Sequence, residues 1–169
     1  MRFLIIFIFL ITNVVAEELP GIKNIVIHKI PKIYDNVIFL DKNDQKINID
    51  EYNGKLLLLN FWAVWCEPCK EEMPSLDRLQ QKYDKQDFQI LAISVDRGPK
   101  KKSVNFFNEY KIQNIDLFFD DKNNIPREVR AAGLPFSFFI DQKGNQIAKF
   151  IGPTEWDSNY FQDYIDSNL

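Results

Sequence analysis

The sequence predicts an α/β fold in which helices flank a central sheet that is partly parallel and partly antiparallel. Predicted strands and helices alternate along the chain, an order typical of parallel strands joined by helical crossovers. Residues 56–61 form an apolar run broken only by Asn60, as expected of a strand buried on both faces. The 169 residues suffice for one domain, and 46% of them are hydrophobic, enough to build a packed core.

The elements follow one another in a regular order. Residues 37–40 and 46–49 flank a turn cluster and predict a β-hairpin ahead of strand 56–61. Apolar residues then recur at helical spacing from Met73 to Tyr83, with Pro74 expected to kink that helix. The remaining predicted elements are a strand over 88–95, a helix capped by Ser103, a strand over 117–119, a helix over 125–132, antiparallel strands over 136–140 and 146–151, and a final amphipathic helix from Trp156 to Ile165.

The N-terminus predicts a targeting segment over residues 1–16. Arg2 precedes the apolar residues 3–11, and Val14 and Ala16 are small residues where a signal peptidase requires them. The apolar run is shorter than the roughly 20 residues that span a bilayer. A cleaved signal peptide and an uncleaved membrane anchor are the two interpretations, and both place the folded domain outside the cytoplasm.

The rest of the chain divides into a linker over 17–32 and a folded domain over 33–169. Pro20, Gly21 and Pro31 interrupt the linker region, which has little regular pattern. The formal net charge of −3 does not favour binding to nucleic acid, which is itself negatively charged.

Cys66 and Cys69 are the two cysteines of the chain, and their spacing indicates redox chemistry. A disulfide between them would close a ring of four residues, worth about 2 kcal/mol against about 3 for a 15-residue loop, so stabilisation is a poor reason for the pair. Cys66 falls at a helix N-terminus, which favours the thiolate, and Pro68 suits a first helical turn. Cys69 lies one turn later and can resolve a mixed disulfide. Tetrahedral zinc needs four ligands, and His28 is the one histidine, so no metal site is predicted.

A second element, Gly133-Leu134-Pro135-Phe136, precedes an apolar strand. Pro135 cannot donate to a sheet, so it must begin that strand or lie at an edge. A cis Leu134–Pro135 bond would expose the Leu134 backbone beside the cysteines for pairing with a substrate peptide. Residue chemistry alone favours trans, because only about 5–6% of X-Pro bonds in folded proteins are cis.

Residues 60–74, which include Trp65-Cys66-Glu67-Pro68-Cys69, resemble the TlpA/ResA branch of the thioredoxin superfamily, as do 133–135 and 138–141. The resemblance covers residues 33–169. It implies a thioredoxin-like fold with an added N-terminal β-hairpin, a cis Pro135, and a redox-active Cys66–Cys69 disulfide that needs no other cofactor.

The resemblance also implies roles for further residues. Glu72 matches a glutamate that lies near the cysteine pair in ResA-like proteins, and we expect it to modulate their pKa values or take the proton from Cys69. Trp65, Leu134 and Pro135 are the expected substrate-binding residues, and for Trp65 a packing role is the alternative. Glu67 and Pro68 are expected to tune the redox potential, because a negative Glu67 disfavours the Cys66 thiolate and makes the protein more reducing.

The sequence departs from related patterns at two positions. Asn60 stands where ordinary thioredoxins carry a buried Asp, and Asn cannot relay a proton. Phe136 stands where the CcmG proteins of cytochrome maturation place an acidic residue, which argues against that subgroup.

The leading hypothesis is an exported, monomeric reductant of disulfides, periplasmic or extracytoplasmic. The resemblance suggests apocytochrome c or the copper-site subunit of an oxidase as substrates, and a membrane electron donor of the DsbD/CcdA kind. One alternative is a general disulfide oxidase or isomerase. Another is a copper-delivery protein that uses the cysteine pair with His28. A thiol peroxidase would want Thr or Ser three residues before the reactive cysteine, where this chain has Ala63.

Overall fold

The computed structural model describes residues 25–33, 37–120, 122, 124–129 and 131–169. The targeting segment and the first half of the linker predicted above lie outside these residues. The strands are β1 (Ile25–Ile33), β2 (Ile38–Leu40), β3 (Lys46–Asn48), β4 (Leu56–Trp62), β5 (Phe88–Ser94), β6 (Asp116–Phe119), β7 (Phe136–Ile140) and β8 (Asn145–Ile151). The helices are α1 (Glu67–Gln80), α2 (Lys101–Glu109), α3 (Asn124–Glu128) and α4 (Asn159–Asp166), with a 3-10 helix at Ile49–Tyr52.

Across the described residues the strands form one mixed sheet in the order β1-β8-β7-β4-β5-β6-β2-β3. β4, β5 and β6 run parallel, whereas β7 pairs antiparallel with β4 and with β8. β2 and β3 form the predicted hairpin and join the sheet through β6. The α/β class, the mixed sheet and the antiparallel final pair are therefore confirmed.

The core lies around β4, whose seven residues are all buried. Its two neighbours β5 and β7 are equally buried along their whole length, which explains why these strands read as continuous apolar runs. The ring of Phe139 on β7 packs against Trp156 and Tyr164 of the C-terminal segment. On the next strand, Phe150 contacts Trp156 and Phe161. Aromatic contacts of this kind fix the C-terminal segment on the sheet.

The linker prediction is wrong where it covers residues 25–32, because these form most of β1. β1 is an edge strand that pairs with β8, and its register shifts between Ile27 and Lys32. An edge position and an irregular register both accommodate Pro31, which cannot donate to a ladder. The strand was missed because its sequence carries proline and charged residues, which are not typical of a central strand.

Helix boundaries also differ from the prediction: α1 ends at Gln80, before Tyr83, and α4 begins at Asn159, after Trp156. Ser103 is not the N-cap of α2, because the helix already begins at Lys101 with Lys100 as its N-cap. Ser103 is instead buried within the helix and bonds to Asp96 of the β5–α2 loop. α3 ends at Glu128 and is shorter than the predicted 125–132. Within the described part of the chain, no helix has the length and apolar character needed to cross a membrane.

Candidate active site

The Cys66–Cys69 disulfide lies at the N-terminus of α1. Cys66 is the N-cap and has extended backbone angles, and Pro68 occupies the first helical turn. The N–H groups of Cys69 and Lys70 both donate to the Cys66 carbonyl, at 3.1 and 3.2 Å. These bonds bring the two Cα atoms to 5.3 Å, within the normal range for a disulfide. Cys66 keeps 6% of its surface exposed and Cys69 none, so the first sulfur is the more accessible of the two.

A shallow groove of about 290 Å³ runs beside the cysteine motif. Trp65, the residue before Cys66, stands on one side with 70% of its surface exposed. Leu134 stands on the other side, and its peptide bond to Pro135 is cis, as the resemblance implies. The groove is lined by Trp65, Val95, Arg97, Pro126, Ala131, Gly133, Leu134 and Phe136.

The backbone of Leu134 is available for pairing. Among the described residues, neither its N–H nor its C=O has a hydrogen-bond partner. Pro135 behaves differently, because its carbonyl accepts a bond of 2.8 Å from the N–H of Gly152. An extended peptide could therefore pair with Leu134 without breaking an existing sheet bond.

Glu72 is buried beneath the cysteine pair, on the inner side of α1 and one turn beyond Cys69. One carboxylate oxygen, Oε1, accepts a bond of 2.7 Å from Nδ2 of Asn60 on β4. The other, Oε2, accepts from Nε1 of Trp156 at 3.0 Å and from the N–H of Thr154 at 3.2 Å. Burial raises the pKa of Glu72 from 4.5 to about 7, although these three donors favour the charged form. A group with that pKa can take and give a proton near neutral pH.

Glu67 places a negative charge next to Cys66, and that charge is paired with a positive one. Its carboxylate forms an ion pair with Lys70, one helical turn later. The hydrogen bond from Lys70 to Glu67 raises the pKa of the lysine, which keeps its positive charge in place. The repulsion that a bare Glu67 would exert on a Cys66 thiolate is thus partly offset by a cation at the same surface.

The turn before Cys66 is held by a residue that the sequence analysis did not single out. The Asp96 oxygen Oδ2 accepts from the Val64 N–H at 3.0 Å, from Ser94 Oγ at 2.9 Å and from Ser103 Oγ at 3.2 Å. These donors belong to three different parts of the chain: the motif turn, β5 and α2. The one sequence signal was a polar residue directly after a buried strand, at the carboxyl edge of the sheet where ligands commonly bind.

The side chain of His28, which the copper-delivery alternative requires, lies outside the described residues. The described residues contain no cluster of three or more potential metal ligands from His, Cys, Asp and Glu. Trp65 and Leu134 thus line one groove, and each is followed in sequence by a predicted site residue, Cys66 and Pro135 respectively. Cys69 and Glu72 are buried on α1.

A thioredoxin-like sheet with a Cys-x-x-Cys disulfide at a helix N-terminus and a nearby cis-proline defines a thiol–disulfide oxidoreductase of the thioredoxin superfamily. Comparison with known proteins agrees with this class. The chain belongs to the AhpC/TSA family, whose family model matches residues 27–148.

Curated relatives carry the name thiol–disulfide oxidoreductase ResA. The chain is 32% identical over 124 residues to ResA of Bacillus anthracis, which covers 73% of this chain and 70% of that protein. It is 30% identical over 132 residues to ResA of Bacillus subtilis, covering 78% and 71%. These matches confirm the resemblance to the ResA branch and the enzymatic class.

Solved structures of other proteins have similar folds. A putative thiol:disulfide interchange protein DsbE from Chlorobium tepidum superposes with a TM-score of 0.72 at 25% identity, covering 82% of this chain and 96% of that one. StoA from Bacillus subtilis superposes with a TM-score of 0.60 at 21% identity, covering 81% and 96%. The second match concerns the fold alone.

Proposed function

We propose that this protein is an exported reductant of disulfides in other extracytoplasmic proteins. The observation that carries the proposal is the geometry of one surface. Cys66, the more accessible residue of the pair, directly follows the exposed Trp65, which bounds a groove together with Leu134. The Leu134 backbone has no partner among the described residues. A substrate peptide held in that groove would present its disulfide to Cys66.

The reaction begins from the dithiol form. The Cys66 thiolate, favoured by the N-terminus of α1, attacks one sulfur of the substrate disulfide, and the other substrate sulfur leaves as a thiolate that takes up a proton. This step forms a mixed disulfide on Cys66. Trp65, Leu134 and Pro135 hold the substrate segment, and Glu67 with Pro68 tunes the stability of the Cys66 thiolate.

Cys69 completes the reaction. Its proton passes to Glu72, whose pKa of about 7 suits proton transfer near neutral pH. The Cys69 thiolate then attacks the Cys66 sulfur and releases the second substrate thiol. Two electrons have moved to the substrate, and the Cys66–Cys69 disulfide is restored for reduction by a donor.

The resemblance supplies the finer proposals. The substrates are apocytochrome c or an oxidase copper-site subunit, and the donor is a membrane protein of the DsbD/CcdA kind. The domain acts as a monomer in the periplasm or an equivalent compartment, with residues 1–16 as a cleaved signal or an anchor. The relatives named thiol–disulfide oxidoreductase ResA support the class of reaction.

Disulfide exchange is favoured over peroxidase chemistry by residue 63. Ala63 is fully buried and has no hydroxyl, and what it offers near Cys66 is a backbone carbonyl that accepts the Cys66 N–H at 3.1 Å. A peroxide bound to Cys66 would lack the Thr or Ser donor expected at that position.

Trapping of mixed disulfides tests the assignment of the two sulfurs. A Cys69→Ala protein should accumulate a mixed disulfide on Cys66 with its exported substrates, because the resolving thiol is absent. A Cys66→Ser protein is the matched control and should trap none. Equal trapping by both variants, or a Cys66→Ser protein with full biological output, would contradict the proposal.

A redox titration against glutathione tests the direction of electron flow. A reductant should equilibrate near the potential of thioredoxin, about −270 mV, and should reduce insulin. A potential near that of the oxidant DsbA, about −120 mV, would instead indicate a disulfide oxidase.

A further inference from the structure

Asn60 is an unusual residue for the centre of this sheet. It lies in β4, between Ala92 of β5 and Ser137 of β7, and none of its surface is exposed. Its Nδ2 group donates to Glu72 Oε1 at 2.7 Å and to Ser137 Oγ at 3.0 Å. Its Oδ1 atom is buried and has no hydrogen-bond partner among the described residues.

The orientation of the amide is informative because both N–H donors are used and the acceptor is not. Buried polar atoms normally find partners, so an unpaired carbonyl oxygen is unfavourable. The opposite orientation would point Oδ1 at Glu72 Oε1, where two acceptors would repel each other across 2.7 Å if Glu72 is charged. The observed orientation therefore favours the charged carboxylate of Glu72. The same orientation leaves the Asn60 Oδ1 atom without a partner among the described residues.

We propose that Asn60 is a positioning residue that acts through Glu72: its N–H group holds the carboxylate in one orientation and favours its charged form, so that residue 60 sets the pH at which Glu72 accepts the proton of Cys69. This inference rests on the proposed function of Glu72 in the exchange. A residue of β4, Asn60, thus controls the protonation of a carboxyl group on α1, that of Glu72.

The groups that face the Glu72 carboxyl are uncharged, so few of them other than Asn60 can set its pKa. From β4 comes the uncharged side chain of Asn60, whose amide also donates to Ser137 of β7. From the segment between β8 and α4 come the Thr154 N–H and the Trp156 indole, which are also uncharged. On its own helix the nearest buried titratable side chain is Cys69, and no charged group contributes to the shift of the Glu72 pKa.

The geometry predicts the effect of moving the acid to β4. With Asn60→Asp alone, two carboxyls would meet where 2.7 Å now separates the Asn60 nitrogen from the Glu72 oxygen, and the pair would share one proton. With Asn60→Asp and Glu72→Gln together, one acid and one amide are restored. The glutamine Oε1 can still accept from Trp156 and Thr154, and its N–H can donate to the new carboxylate on β4.

The experiment follows the Glu72 carboxyl by NMR of isotope-labelled glutamate in the oxidised protein, in which the disulfide sulfurs do not titrate. Wild type should titrate at about 7. Asn60→Leu, which keeps the volume and removes the amide, should raise the midpoint by about one to two pH units, equivalent to a ~10- to 100-fold smaller acid dissociation constant. The Asn60→Asp variant should titrate in two steps, the upper one above the wild-type midpoint. The double variant has no carboxyl at position 72, so it is followed with isotope-labelled aspartate at position 60, and it should show a single step below that upper one.

Gln80→Leu is the matched control, since Gln80 is a buried amide on α1 that bonds to Phe88 and Ile90 and does not touch Glu72. It should lower stability without moving the carboxyl midpoint. The inference is overturned if Asn60→Leu and Asn60→Asp leave the midpoint where wild type has it, or if Gln80→Leu moves it equally.

The pH profile of disulfide reduction separates this inference from the proposed function. In the variants that keep Glu72, the pH at which the rate of disulfide reduction changes should shift together with the titration midpoint of the Glu72 carboxyl. If the midpoint moves and the rate profile does not, Glu72 is not on the proton path, and the control of reaction pH by Asn60 falls with it. Trapping by Cys69→Ala would still test the exchange itself.

Discussion

Trp65 has the most exposed aromatic ring among the described residues. It keeps 70% of its surface exposed, whereas Trp62, three residues earlier, is fully buried. A large exposed aromatic ring gains little from folding, so its position is best explained by what it binds. It borders both the 290 Å³ groove and a second one of about 500 Å³ along the β5–α2 loop.

Trp65→Ala should therefore impair substrate use and leave stability nearly intact. We expect kcat/KM for a protein disulfide to fall about 5- to 30-fold, and the free energy of unfolding to change by less than about 0.5 kcal/mol. Tyr110→Ala is the control, because Tyr110 is an exposed ring at the C-cap of α2 that lines neither groove. Steady-state kinetics and urea unfolding test both, and equal losses of kcat/KM would contradict the role of Trp65.

Glu72 makes the stability of the fold depend on pH. Because its pKa is raised from 4.5 to about 7 in the folded state, the folded protein binds this proton more tightly than the unfolded chain does. The resulting stabilisation is complete below pH 4.5 and is lost as pH rises through 7, a change of about 3 kcal/mol. Glu72→Gln should remove that pH dependence. Urea unfolding of the oxidised proteins from pH 4.5 to 8 measures it, and parallel curves for the two proteins would show that Glu72 does not titrate in this range.

At the scale of elements, Asp96 links three pieces of structure through one oxygen atom. The motif turn, β5 and α2 each donate to Oδ2, and Ser94 Oγ and Ser103 Oγ lie 3.0 Å apart. The turn that precedes Cys66 is thereby fixed to the carboxyl end of β5. A carboxylate suits this position because it can accept several bonds at once.

Asp96→Ala should loosen that turn. We expect the free energy of unfolding to fall by about 1–3 kcal/mol, because donors buried around the carboxylate lose their acceptor. Hydrogen exchange at the Val64 amide should accelerate beyond the change in global stability. Ser103→Ala is the control: it removes the α2 donor but keeps the bond of 3.0 Å from Val64 to Asp96. Equal protection of Val64 in Asp96→Ala and wild type would contradict the link.

Local signals in the sequence were enough for some elements and not for others. The β2–β3 hairpin followed from its turn cluster, and β4 from its unbroken apolar run. β1 was missed because pairing with β8, more than 100 residues away in sequence, stabilises a strand that contains Pro31. Ser103 looked like a helix cap because capping chemistry is local, whereas its partner Asp96 is brought to it by the loop.

The residues of the candidate site also divide into those that the sequence predicts and those whose surroundings it does not. Cys66, Cys69 and Pro135 lie in motifs that the sequence makes visible, and the cis bond confirms what the resemblance implies. The environment of Glu72 could not be read from the sequence. Trp156 lies 84 positions away, and its indole reaches Glu72 because aromatic packing fixes the C-terminal segment on the sheet.

At the scale of the whole molecule, the disulfide contributes little to the stability of the fold. The fold is held by β4, β5 and β7, which are buried along their length, and by the aromatic contacts that attach the C-terminal segment. Cys66 and Cys69 are three positions apart within one turn of α1, so their bond joins residues that the helix already holds together. The two redox forms should therefore share one fold.

Reduction should leave the protein folded and only slightly less stable. The chain-entropy argument gives a ring of this size about 2 kcal/mol, a small part of the stability of a domain with this core. Urea unfolding with and without a reductant should give one cooperative transition in each case, with the oxidised form the more stable. The same free-energy difference enters the redox potential, because about 1.4 kcal/mol corresponds to about 30 mV for two electrons. A reduced protein that is unfolded at 25 °C would instead make the disulfide a structural bond, and a sulfur pair needed for folding could not be opened and closed in each catalytic cycle.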